Sequence, residues 1–131
     1  MNKKKIRKYQ IFSIFFTFIL GTILHFTYKW SGENKIVALF SSINESTWEH
    51  LKLLYFPMVL TTIIGMFVVG KVVPNFLCSK TIGILTALIF TVIFFYTYTG
   101  VLGKNIAAID IASFFIATIF RRICCIYAYG K

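Results

Sequence analysis

Carboxylates are the scarcest charged groups in this chain: four Asp and Glu stand against fourteen Lys and Arg among 131 residues. Charged residues fill only 14% of positions, well short of the roughly one quarter that keeps a soluble domain's surface in water. That shortage excludes a water-soluble globular domain as the main body. Cysteine is also sparse, at Cys78, Cys124 and Cys125. The number is odd, and neither C-x-x-C nor a His/Cys ligand spacing occurs, so no disulfide framework or zinc ribbon is encoded. Cys124 and Cys125 follow Arg121 and Arg122, a setting that admits S-acylation at a membrane edge. Only Pro57 and Pro74 interrupt the chain as prolines, which leaves long stretches open to unbroken helix.

What fills the chain instead is apolar. Hydrophobic residues make up 58% of it, with fifteen Phe, and they come in runs rather than in an amphipathic rhythm. This pattern predicts an all-α, polytopic transmembrane protein, a single transmembrane domain over 1–131 with four spans. A bilayer core takes about 20 helical residues, and the uncharged stretches fall at 10–28, 53–70, 81–103 and 105–120. The first is not a cleaved leader, because its core is long and no small-x-small site follows. Tyr28 and Trp30 suit the far interface. In the second span Pro57 removes the N–H that would serve the Leu53 carbonyl, which predicts a kink. That carbonyl needs a donor from Thr61, Thr62, a neighbouring helix or a trapped water. The fourth span is the shortest, contains Asp110, and relies on Lys104 and Arg121 snorkelling to the two surfaces. The connection 29–49 has an apolar centre, 36–40, too short to cross, which reads as an interfacial or re-entrant cover.

The formal net charge of +10 is spread as membrane flanks rather than as a nucleic-acid footprint, so nucleic acid is not an expected partner. With the N-terminus inside, ten Lys and Arg lie on the inner side and only Lys29, Lys35, Lys52 and Lys104 on the outer. This asymmetry predicts an N-in, C-in arrangement. The lipid bilayer is the expected partner, with homo- or hetero-oligomers formed through membrane helices.

The stretch 44–52, NESTWEHLK, is the polar start of the second long helix. Ser46 and Glu49 have capping-box spacing, and Asn44 offers an alternative cap with Ile43 and Trp48 as a hydrophobic staple. Glu45, Trp48, Glu49 and Lys52 share one helical face, and Glu49 can pair with Lys52. The four-span topology brings His25, Glu45, Trp48, Glu49, His50, Lys52, Tyr96, Tyr98 and Asp110 to one depth beneath the outer surface. An ionisable residue within a span is costly, so Asp110 should face protein or water and find a partner among His25, His50, Lys52 and the tyrosines. Such a cluster suits a binding site or pathway for a small solute or ion. No cofactor is expected. A divalent metal held by Glu45, Glu49, His50, His25 and Asp110 would need zinc, iron or manganese chemistry, but no H-E-x-x-H or paired E-x-x-H supports it. Alternatives are a membrane-embedded enzyme using Glu49 and His50 as acid–base or metal groups, a small assembly or regulatory subunit whose partner covers Trp48 and 36–40, and a purely structural network locking the helices together.

The 44–52 motif, followed by Tyr55, Phe56 and Pro57, resembles the signature of an uncharacterised family of small bacterial integral membrane proteins. LGTILHF at 20–26, WSG at 30–32, YTYTG at 96–100 and Asp110-Ile111 are similar to the same pattern, so the likeness covers most of 11–120. The resemblance implies a multi-span fold in a bacterial cytoplasmic membrane and implies no activity. The family pattern continues into a further apolar stretch where this sequence has RRICCIYAYGK, 121–131, a departure that touches the fourth span.

Overall fold

The computed structural model describes residues 3–44 and 46–129. Five helices occur in it: α1 (Lys3–Trp30), α2 (Lys35–Ala38), α3 (Thr47–Val68), α4 (Phe76–Leu102) and α5 (Ala107–Tyr129), and no strand is found among the described residues. The expected all-α class is what is observed. By length and composition α1, α3 and α4 are able to cross a membrane. The fourth expected span is also helical, but α5 runs from 107 to 129 rather than 105–120 and carries Asp110, Arg121 and Arg122 within it.

Local chemistry sets the helix ends. Ser46 is the N-cap of α3 and its side chain accepts from the Glu49 amide. Asn44 is therefore not the cap; its Oδ1 takes the Ser46 N–H at 2.9 Å. Because that amide is already used, the Glu49 carboxylate reaches past it to the Ile43 N–H, 3.1 Å, so only half of the capping box forms. Gly103 closes α4 in the left-handed region (φ 69°) and returns its N–H to the Thr99 carbonyl. The start of α4 lies at Phe76, five residues before the expected 81, so Lys80 is inside the helix.

The four long helices run up, down, up and down. Tyr9 donates to the Thr61 carbonyl, the Phe76 ring lies against Gly65 and Tyr98 meets Asp110, which makes α1 and α3, α3 and α4, and α4 and α5 antiparallel pairs. Their buried positions recur every four residues: Ser13, Thr17 and Gly21; Pro57, Thr61 and Gly65; Ser79, Gly83, Ala87 and Thr91; Ser113, Ala117, Arg121 and Cys125. Small residues at this spacing let helix backbones approach closely. The clearest contact is at Gly21, where a methyl group would stand 2.8 Å from the Leu53 carbonyl oxygen and 2.5 Å from the Phe114 ring. The carbonyl released by Pro57 is thus covered by α1. Thr61 and Thr62 do not serve it; both hydroxyls donate to Met58 O, at 2.9 and 2.8 Å, because a helical threonine reaches back three or four residues and Leu53 lies two turns away.

Polarity is inverted relative to a soluble bundle. Polar residues outnumber apolar ones in the buried interior, while Phe12, Phe15, Ile19, Phe67, Ile89 and Ile93 face outward. An apolar core of Leu54, Met58, Ile84, Ala87 and Ala117 occupies the middle of the bundle. The connecting residues 31–44 fold over one end: Ser41 Oγ donates to the Leu24 carbonyl and accepts the Tyr28 N–H at 3.1 Å, and the Phe40 ring packs on Phe56.

Candidate functional site

At the end of the bundle covered by 31–44, three helices each supply one ionisable side chain to a shared cavity of about 260 Å³. His25 comes from α1, His50 from α3 and Asp110 from α5, while Phe18, Phe26, Leu53, Ile111 and Phe114 wall it. The imidazoles lie ring to ring, centroids 5.5 Å apart and tilted by 39°. His50 Nδ1 is 3.0 Å from the Ser46 carbonyl. That acceptor selects the tautomer protonated at Nδ1, which makes Nε2 the accepting nitrogen. The polar turn of α3 therefore does two jobs with one residue, since Ser46 caps the helix through its side chain and orients His50 through its carbonyl.

Asp110 sits in the first turn of α5, where the helix N-terminus favours a negative charge. Its Oδ1 accepts from the buried Tyr98 hydroxyl. The same phenol oxygen is 2.8 Å from Asn105 Oδ1. A phenol has one hydrogen to give, so with Asp110 receiving it, Asn105 is satisfied by turning its amide to donate. Tyr98 thus joins the site by holding Asp110, one step behind the cavity wall.

Glu49 and Lys52 face elsewhere. Their side chains pair at 2.7 Å, Lys52 Nζ donates to the Ala38 carbonyl at 3.0 Å, and Glu49 takes the Ile43 N–H. This clamp fastens 38–43 over the mouth of the bundle. Glu49 precedes the apolar part of α3, and partial desolvation of its carboxylate is outweighed by the Lys52 ammonium and the Ile43 amide, which hold it below its ordinary 4.5. Trp48 is 76% exposed and Tyr96 is likewise turned outward, so neither lines the cavity. Adjacent helix positions diverge by about 100°, which is why the run 48–50 splits among three surroundings. Glu45 lies outside the described residues. Among those residues, no three of His, Cys, Asp and Glu stand close enough to hold a metal ion.

A second polar cluster, which sequence reasoning missed, lies toward the opposite end. Arg121, expected to snorkel at a helix end, is 4% exposed. It donates to Thr61 Oγ1 and Thr62 Oγ1 at 3.0 Å and to the Met58 carbonyl at 3.1 Å. Because α5 continues to 129, Arg121 lies inside the bundle, roughly 10 Å from the end of α3 at 1.5 Å per residue. Lys80 is 3% exposed, its ammonium 5.5 Å from the Tyr9 ring centre and 5.6 Å from that of Phe76. Cys125 is buried and contacts the Ser79 carbonyl at 3.5 Å, so it is not open to acylation, whereas Cys124 is partly exposed. The signal was present in the four-residue spacing of small side chains, which marks the buried faces and places Lys80 and Arg121 on or beside them.

No curated protein and no solved structure matches the chain. The profile of one family covers residues 1–131, all of the sequence, and the chain therefore belongs to DUF6512, a family of unknown function.

Proposed function

We propose that the chain is a multi-pass protein of the bacterial cytoplasmic membrane, N-terminus and C-terminus inside, that binds a small cation at the outer ends of its helices and passes it toward the bilayer interior. One observation carries this reading: His25, His50 and Asp110, from three different helices, line one cavity whose remaining walls are largely aromatic and aliphatic. A carboxylate held by a phenol supplies the charge, and aromatic faces add favourable contact for an ammonium group. Two imidazoles beside it offer ring nitrogens to the same cavity. Ionisable groups at this depth are expensive and mark ion or solute routes.

The test uses purified protein in sealed vesicles, with radiolabelled methylammonium chloride added outside as the probe. Uptake of label above that of empty vesicles, driven by an inside-negative potential, is the expected result. Asp110→Asn and His50→Ala should each reduce that excess by about tenfold, the loss of one charge-assisted contact. Rates equal to those of empty vesicles, or unaltered by both substitutions, would overturn the proposal.

A further inference from the structure

We propose a second site, for a small monovalent anion of chloride's size, in the opposite half of the bundle between Gln10, Thr17, Lys80 and Arg122. A cavity of about 10 Å³ lies there, with Ser13, Ile14, Thr118 and Arg121 completing its lining. The lining carries three cationic side chains and no carboxylate. Three of its buried polar atoms, Gln10 Nε2, Thr17 Oγ1 and Arg122 Nε, have no hydrogen-bond partner among the described residues. Gln10 is 4% exposed and Thr17 is 0% exposed, so bulk solvent does not serve them. Buried polar groups of this kind are normally satisfied, and their shared property is that each can donate.

A water molecule accepts about two hydrogen bonds, too few for an amide, a hydroxyl, a guanidinium N–H and the Lys80 ammonium together. A cation is repelled by the three positive side chains. An anion accepts from every direction and offsets their charge, which is otherwise costly at this depth. Size narrows the choice further. About 10 Å³ is one water-sized sphere, so a monatomic halide enters with small adjustments of the flexible Gln10, Lys80 and Arg122 side chains, while sulfate and phosphate do not. No residue lines both this cavity and the outer one, and the inference does not depend on what the outer cavity binds.

The full chain in detergent is titrated with sodium chloride against sodium gluconate at constant ionic strength, following excess ³⁵Cl line broadening and thermal unfolding. Saturable broadening and a rise in Tm with chloride, absent with sulfate, are expected. Thr17→Val and Lys80→Met should each weaken the apparent chloride affinity about tenfold, as one strong donor is lost. Gln10→Glu, nearly the same shape, brings its own negative charge; it should keep the fold without chloride and lose the halide response, which decides the matter even where Lys80→Met fails to fold. Absence of saturable broadening in the parent, or broadening unaltered in Thr17→Val and Gln10→Glu, assigns the cavity to water and overturns the inference.

Discussion

Tyr98 shows how a single hydroxyl governs the outer site. Its proton goes to Asp110 across the turn that joins α4 and α5, so the phenol both positions the carboxylate and satisfies it away from bulk water. Tyr98→Phe should take a donor from the half-buried Asp110 carboxylate and lower stability by about 1 kcal/mol, the net worth of one hydrogen bond. Thermal unfolding in detergent checks this, and Asp110→Asn in the same background should recover part of the loss, because a neutral amide is cheaper to bury. Equal stability of parent and Tyr98→Phe would show that the pair contributes nothing. Glu49 makes a different prediction. Its carboxyl is held below its ordinary value, so its stabilising contribution is complete above the unfolded-state value and disappears as the pH falls through the lowered folded-state value. The cover over 38–43 should therefore loosen only in acid, below the ordinary carboxylate range. Glu49→Gln should remove that acid sensitivity, at a cost under about 1 kcal/mol at neutral pH because the pair is partly exposed. Hydrogen exchange at the Ile43 amide reads it directly, and acid-induced exchange that persists in Glu49→Gln would refute the assignment.

Among the helices, what the sequence made legible and what it concealed have one common cause. Apolar runs revealed that the long helices exist, since lipid-compatible sequence can hold its backbone polar groups only by forming helix. Ser46 and Gly103 revealed two ends, because a cap and a left-handed glycine are local features. The boundary errors fall at Lys80 and Arg121, where a positive charge in sequence reads as the edge of a span. Both cations are instead housed in the interior, Lys80 against the Tyr9 and Phe76 rings and Arg121 on two threonine hydroxyls and the Met58 carbonyl, and all of these partners but Phe76 lie dozens of residues away. The outer cluster divides on the same principle: depth was readable from topology, but which of 48, 49 and 50 turns inward depends on helix rotation, set by the packing of Gly21 on Leu53. That contact is testable. Gly21→Ala places a methyl 2.5 Å from Phe114 and 2.8 Å from a backbone oxygen. The ring can swing but the carbonyl cannot, so a loss of about 1–3 kcal/mol is expected. Gly100→Ala, with no heavy atom within 4 Å of the added carbon, should be neutral or stabilising by up to about 1 kcal/mol, as for a helix-interior glycine. Similar unfolding temperatures for the two variants would mean that α1 and α3 are not set by this approach.

At the scale of the whole molecule, charge is sorted by end. Glu33, Glu49 and Asp110 belong to the end that holds the α1–α3 and α4–α5 connections, while Lys80, Arg121 and the basic start of α1 belong to the other. In the proposed N-in, C-in placement the cation-rich end stays in the cytoplasm, where translocation of Lys and Arg is avoided. The up-down-up-down order then fixes every connection. In a background with Cys124 and Cys125 replaced by Ala, Trp48→Cys and Lys104→Cys should react with a membrane-impermeant maleimide added to intact cells, since both positions are exposed on the acidic end. Native Cys78, exposed near the start of α4, should react only after permeabilisation. Labelling at 48 and 104 from opposite sides would mean that α3 and α4 do not both cross, and it would separate Asp110 from His25 and His50 in the membrane-bound protein. Labelling of Cys78 from outside, together with protection at 48 and 104, would invert the bundle and put the histidine cavity on the cytoplasmic face. The first pattern alone fits a cation entering at the outer end and an anion held at the inner one, two opposite charges at separate levels of one bundle.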